Sequence, residues 1–252
     1  MRTALIGHTG FIGSNLARQF AFDERYNSKN ITDIRGQQFD LLVCAGVRAA
    51  KWWANQNPAE DRAQIDALLA DLDSVEARKV VVVSTVDVYP TSSGADERFD
   101  CHSRPNHAYG ANRLYFEEAM RALFGEITTV RIGGVFGPGL KKNVIYDLIH
   151  DNCLDKINPG SSFQYYNVAN LWLDLQALEP AGIRVINFVS EPIRTGDVVA
   201  RFFPGKAVAQ TPAPAASYDI RTMHSSWFGG PPGYLCSGEQ AMRDLGAFVS
   251  AA

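Results

Sequence analysis

The sequence has little cysteine. Cys44, Cys101, Cys153 and Cys236 are scattered along 252 residues, with no CxxC pair and no Cys/His group at metal-ligand spacing. That pattern argues against a disulfide framework and a thiolate metal site. It fits reduced thiols in a cytoplasmic chain, with no metal expected. Excess charge is also missing. Lys and Arg number 24 against 27 Asp and Glu, a net charge of −3, which gives no reason to expect nucleic acid or an anionic membrane as a partner. No apolar run approaches the roughly 20 residues needed to span a bilayer. The N-terminus runs straight into strand-like sequence, without a signal-peptide layout. Repeats are absent. What remains is 46% hydrophobic and 20% charged, ordinary for a globular chain long enough to bury a sizeable core.

The chain reads as alternating strands and helices. Arg2–Gly7 (RTALIG) is a short apolar strand, followed by a helical pattern from Phe11 to about Phe22. A weak second strand is expected over Glu24–Ser28, and a continuous apolar one over Phe39–Gly46 (FDLLVCAG). Pro58–Ala77 reads as a helix. Lys79–Ser84 (KVVVVS) is the clearest strand, because its β-branched residues favour that state. Tyr109–Phe124 is a helix, Ile127–Arg131 a strand, Asn170–Leu178 a capped helix and Arg184–Phe188 (RVINF) a last strand. Such alternation predicts a parallel sheet with helices on both faces. After Arg131 come a Gly/Pro loop (Gly133–Gly139) and a short helix near Asn143–Asn152. From Glu191 onward Pro, Gly and aromatics dominate with weak periodicity. These pieces suggest a small second lobe.

"GHTGFIG" follows the first strand and opens the first helix. Glycines at 7, 10 and 13 allow a close backbone approach to a pyrophosphate, and the helix N-terminus offers free N–H groups. Gly7, Thr9, Gly10, Phe11, Ile12 and Gly13 are therefore cofactor-site candidates. The fold class expected is α/β, a doubly wound parallel sheet (Rossmann fold) with a small C-terminal substrate lobe. The dinucleotide domain would take residues 1–138 and 163–190, and the lobe 139–162 and 191–252. An acidic residue closing the second strand would bind the adenosine ribose. Asn27, Ser28 and Lys29 stand there instead, and Lys29 could hold a 2′-phosphate. The cofactor is thus NADP or NAD, with Lys29 favouring NADP.

Five further segments complete a pattern in fixed order: "CAG" (Cys44–Gly46), "VVVSTVDVYP" (Val81–Pro90), "YGANR" (Tyr109–Arg113), "VRIGGVFGPG" (Val130–Gly139) and "FQYYNVANL" (Phe163–Leu171). Together with the glycine turn they resemble the extended and atypical short-chain dehydrogenase/reductases, the superfamily of NAD-dependent epimerases and dehydratases. The resemblance reaches from the start of the chain to about Phe188. It implies that Thr85, with Ser84 beside it, bonds the substrate oxygen, and that Tyr109 is the acid/base. It also puts Ala45 and Gly46 near the cofactor. Hydride transfer at an alcohol carbon requires a proton to move on or off oxygen. A phenol near pKa 10 is a poor base at neutral pH unless a nearby positive charge stabilises the phenolate. The family uses a Lys four residues on, which also bonds the cofactor ribose. Here Arg113 stands there, larger and not easily deprotonated. It is a candidate catalytic and cofactor residue, with a structural ion pair as the alternative.

On the substrate side, Asp87 lies two residues past Thr85, and a helix-capping Asp is the plainer reading. His102 and His107 fall in the loop before Tyr109. Lys141, Lys142, Asn143, Arg221 and His224 could meet a phosphate or carboxylate, or simply face solvent. Trp52 and Trp53 follow the "CAG" turn. Tyr218, Trp227, Phe228 and Tyr234 suit a small core or a ring pocket. Gly134 occupies the place where many members carry a diphosphate-binding Asn. The resemblance implies an NAD(P)-dependent oxidoreductase or epimerase acting on a hydroxyl or keto group of a sugar or sugar-like small molecule, free or nucleotide-linked. The alternative is a catalytically weak or inactive NAD(P)-binding sensor. By analogy the Pro58–Ala77 and Tyr109–Phe124 helices would form a homodimer interface.

Overall fold

A computed structural model describes residues 1–251. The chain divides into two compact units. The first comprises Met1–Pro90, Phe99–Arg131 and Asn170–Ile186, and the second Thr91–Arg98, Ile132–Ala169 and the residues from Asn187 onward.

The first unit is built on a six-stranded parallel sheet. From one edge to the other its strands are Val185–Phe188, Ile127–Ile132, Val80–Thr85, Leu41–Cys44, Thr3–Ile6 and Glu24–Tyr26. The order reverses beside Thr3–Ile6, which pairs with Glu24–Tyr26 on one side and Leu41–Cys44 on the other. In open α/β sheets the crevice at such a reversal, past the carboxyl ends of the strands, is the binding place. The core beneath is apolar, with Leu42, Val82, Leu72 and Met120 fully buried. Helix Pro58–Leu72 starts on a proline and carries Glu60 and Asp61 in its first turn, both favourable at an N-terminus.

Several elements differ from the sequence expectation. The second strand stops at Tyr26, because Asn27 enters a turn closed by Asn30 N–H on its carbonyl at 3.1 Å. The first helix stops at Gln19, where Phe20 turns extended and stacks on Trp172 at 4.1 Å. The helix expected to reach Ala77 ends at Leu72, and Glu76–Ala77 becomes a short strand beside Gln38–Phe39. A helix over Lys51–Gln56 was not foreseen.

The second unit pairs Gly134–Phe136 with Tyr165–Asn167 in parallel, and Ser162–Phe163 with Ile193–Arg194 antiparallel. This pairing is why residues 132–138 and 163–169 belong here rather than with the sheet domain. Thr91–Arg98 joins them because the Glu97 carboxylate accepts from Asn187 N–H at 2.7 Å, Thr222 Oγ1 at 2.6 Å and Met223 N–H at 2.8 Å. Helices Val144–His150, Thr195–Phe202 and Gly238–Ser250 close an apolar core around Phe136, Ile145, Val198 and Leu245. The last two helices lie in a region where the sequence suggested little periodicity. Among the described residues no helix is long and apolar enough to cross a membrane, and no group of three or more His, Cys, Asp or Glu could hold a metal ion.

Candidate active site

The glycine turn sits at the reversal of the sheet. Gly7 has φ +87°, and a Cβ there would fall 2.3 Å from Ala45 O, so only glycine fits. A Cβ on Gly13 would lie 2.1 Å from Gly7 O. The two glycines thus let the turn, the "CAG" segment and the helix start crowd together. Thr9 and Gly10 are exposed, and helix Phe11–Gln19 begins at Gly10 without a side-chain cap, so no capping side chain takes up its first N–H groups. Phe11 and Ile12 are half-buried. Cys44, ending the third strand, is fully buried, and burial pushes its thiol up to about 11, which makes it inert.

The residues after Tyr26 form a small polar turn. Asn27 Oδ1 accepts from Lys29 N–H at 2.8 Å, and Asn27 Nδ2 lies 3.0 Å from His8 Nε2. Ser28 and Lys29 are exposed.

The strand Val80–Thr85 delivers Ser84 and Thr85. Ser84 Oγ is buried without a hydrogen-bond partner, a cost an incoming polar group would relieve. Thr85 caps the short turn Val86–Val88, its Oγ1 accepting from Asp87 N–H at 3.2 Å. The Thr85 side chain also hydrogen-bonds Tyr109. Tyr109 lies in the first turn of helix Ala108–Phe124, only 6% exposed, and its N–H donates to Asn55 Oδ1 at 2.9 Å. Burial pushes the Tyr109 phenol above its usual range. The positive charges of Arg113 and Lys51 and the Thr85 hydrogen bond oppose that shift, while the Asp87 charge adds to it.

Arg113 is where the expectation needs most revision. Its guanidinium stacks on the Tyr109 ring, Cζ 4.4 Å from the centroid. Its terminal nitrogens grip Asp61 in a bidentate pair at 2.8 and 2.9 Å, and one also bonds the Arg48 carbonyl. Both partners are buried, and Arg113 Nε has no partner. Asn112 adds a further hydrogen bond to Asp61 at 2.9 Å. Burial works to raise the Asp61 carboxyl, but the hydrogen bonds from Arg113 and Asn112 outweigh it and hold it below the usual carboxylate range. The fork that the resemblance directs toward a ribose is thus committed to a neighbouring helix.

Two unforeseen cations and one amide matter here. Lys51 Nζ lies 2.7 Å from Asp87 Oδ1. Arg48 stacks on Trp53 at 4.7 Å. Asn55 holds the Tyr109 backbone. None had a motif: Lys51 sits 36 residues from Asp87, and Asp61 sits 52 from Arg113. His107 caps the Tyr109 helix, Nδ1 accepting from Gly110 N–H at 3.0 Å, with Nε2 4.0 Å from Asp87 Oδ1. Burial and then Lys51 lower its pKa, against Asp87. His102 is exposed and pairs with Glu118. Trp52 is 65% exposed.

The remaining substrate candidates belong to the second unit. Lys141 and Lys142 are exposed. Asn143 is spent on capping, its Oδ1 accepting from Ile145 and Tyr146 N–H and its Nδ2 donating to Val135 O. Arg221 is paired with Asp219 at 3.3 Å. Phe163 and Tyr218 stack at 6.0 Å, a core contact.

A parallel sheet that reverses at a glycine turn, followed by a bare helix start, defines a dinucleotide-binding protein of the Rossmann type. The sequence supplies the family: residues 26–164, more than half of the chain, match the NAD dependent epimerase/dehydratase family, and the chain belongs to it. No curated protein matches the chain in sequence. Solved structures agree on the fold. The dTDP-4-dehydrorhamnose reductase of Yersinia enterocolitica superposes with a TM-score of 0.74 at 15% identity, covering 99% of both chains. The UDP-glucose 4-epimerase of Thermotoga maritima, solved with UDP-glucose, gives 0.75 at 13%, covering 99% of this chain and 98% of its own. The UDP-glucuronic acid 4-epimerase of Bacillus cereus, solved with UDP-glucuronic acid and NAD, gives 0.68 at 17%, covering 100% and 99%.

Proposed function

We propose that this protein oxidises, reduces or epimerises a hydroxyl or keto group of a nucleotide-linked sugar, with Tyr109 as the acid/base. The observation carrying this reading is the hydrogen-bonded Thr85–Tyr109 pair, with Thr85 at the carboxyl end of Val80–Thr85, the strand beyond Leu41–Cys44 from the sheet's reversal. When bound, NAD supplies the hydride acceptor and donor. The chain's residues do the rest. Thr85 Oγ1 orients the substrate oxygen, and Tyr109 OH takes or gives its proton. The Gly7–Gly13 turn and the bare helix start hold the pyrophosphate, and Ser84 Oγ gains a partner. Asn27, Ser28 and Lys29 stand where the adenosine ribose is read, and the exposed Lys29 suits a 2′-phosphate. Comparing NAD and NADP affinity in Lys29→Ala tests that preference. Lys141 and Lys142 suit an anionic diphosphate.

The test is turnover with UDP- and dTDP-sugars, followed through nicotinamide absorbance and product analysis. Tyr109→Phe should bind cofactor normally and lose at least about a hundredfold in turnover; unchanged turnover would rule Tyr109 out. A second reading, a cofactor-binding protein without catalysis, draws on the commitment of Arg113 to Asp61. Tight NAD binding with no turnover across the panel would favour it.

A further inference from the structure

We infer that Lys51, from outside the tyrosine helix, is the amine that serves Tyr109 in this chain. The inference rests on the reading of Tyr109 as acid/base. Arg113 is fixed over the ring face by Asp61 and the Arg48 carbonyl. Its fork is therefore committed to Asp61 and the Arg48 carbonyl, although its charge is the larger of the two that act to lower the phenol. Lys51 comes from helix Lys51–Gln56, and the same helix carries Asn55, whose Oδ1 holds the Tyr109 N–H at 2.9 Å. One short element thus anchors the tyrosine backbone and presents a primary ammonium.

That ammonium is tied into the site. Lys51 Nζ meets Asp87 Oδ1 at 2.7 Å, Asp87 N–H donates to Thr85 Oγ1 at 3.2 Å, and the Thr85 side chain hydrogen-bonds Tyr109. The charged and titratable groups acting here are Lys51, Asp87, His107 and Arg113, with Asp61 and Arg48 behind Arg113. Of the cations that act on the phenol, Arg113 is 4% exposed and Lys51 has 39% of its side chain exposed. Lys51 therefore brings a compact, partly exposed point charge, where Arg113 brings a buried, locked guanidinium. It is a positioning residue, acting through Tyr109.

The test uses the full chain with a trifluorotyrosine at position 109, whose acidified phenol titrates near neutrality and gives its own fluorine NMR signal. Without cofactor, Lys51→Met should raise the titration midpoint by about 1 pH unit, and Lys51→Arg should restore most of it. Asp87→Asn should lower the midpoint. Equal midpoints in parent and Lys51→Met would overturn the inference. So would Lys51→Arg being as displaced as Lys51→Met, because then shape rather than charge is at work. The readout is independent of turnover. A silent Lys51→Met alongside an inactive Tyr109→Phe would sink the role of Lys51 alone, while an active Tyr109→Phe would sink the acid/base reading.

Discussion

Two carboxylate–cation pairs flank Tyr109, and they are built differently. Asp61 and Arg113 meet in a dry, bidentate contact between two helices, with side chains 2% and 5% exposed. Asp87 and Lys51 meet through a single contact, with side chains 18% and 39% exposed. The first pair has too little water around it to be adjusted, and removing one partner strands a charge. The second is more exposed and so more strongly screened. The buried pair ties the tyrosine helix to its neighbour, and charges of both pairs act on the phenol, that of Arg113 more strongly than that of Lys51.

Breaking the buried pair is the largest expected effect. Asp61→Ala should cost about 3 kcal/mol or more in chemical denaturation, since Arg113 is left charged in the core; a cost near zero would show that the pair is no clamp. Acid is a gentler route to the same loss. The Asp61 carboxyl is held below its ordinary value in the folded protein. Its contribution is therefore present above the unfolded pKa, about 3.9, and is lost as pH falls through the folded value. Asp61→Asn should accordingly show a shallower loss of stability below about pH 4 than the parent. Arg113→Lys keeps charge but gives up the fork, and should cost about 1 to 2 kcal/mol in the same assay. Lys51→Met should change stability by less than about 1 kcal/mol, with any effect fading as salt rises. A stability loss as large as that of Asp61→Ala would erase the distinction between the two pairs.

The part of the molecule that was legible in the sequence is the part governed by short range. The glycine turn, the β-branched strand ending in Ser84–Thr85 and the spacing of Tyr109 to Arg113 are local patterns, and the structure places them as strand, turn and helix. The partners of Arg113 and Asp87 were not legible, because Asp61 and Lys51 reach them only after helices distant in sequence pack together. The second unit lost two helices to its composition, although one was signalled. Ser237 caps helix Gly238–Ser250 by accepting from Gln240 N–H at 3.1 Å, half of an S-x-x-Q capping box. Ala241, Met242 and Leu245 follow on one buried face. The sequence expectation also left the second unit too small. Thr91–Arg98 enters it through the three hydrogen bonds to Glu97, which no local pattern announces.

The grip of Arg113 on Asp61 also bears on how such a site can change over generations. A change to lysine at position 113 would give up the two-pronged grip on Asp61 in a buried place. A change at Asp61 alone would strand the guanidinium. Each single step passes through a weaker protein, so the two positions form a lock that opens only when both are turned together. With an amine already present at Lys51, nothing at the phenol demands that the lock be opened.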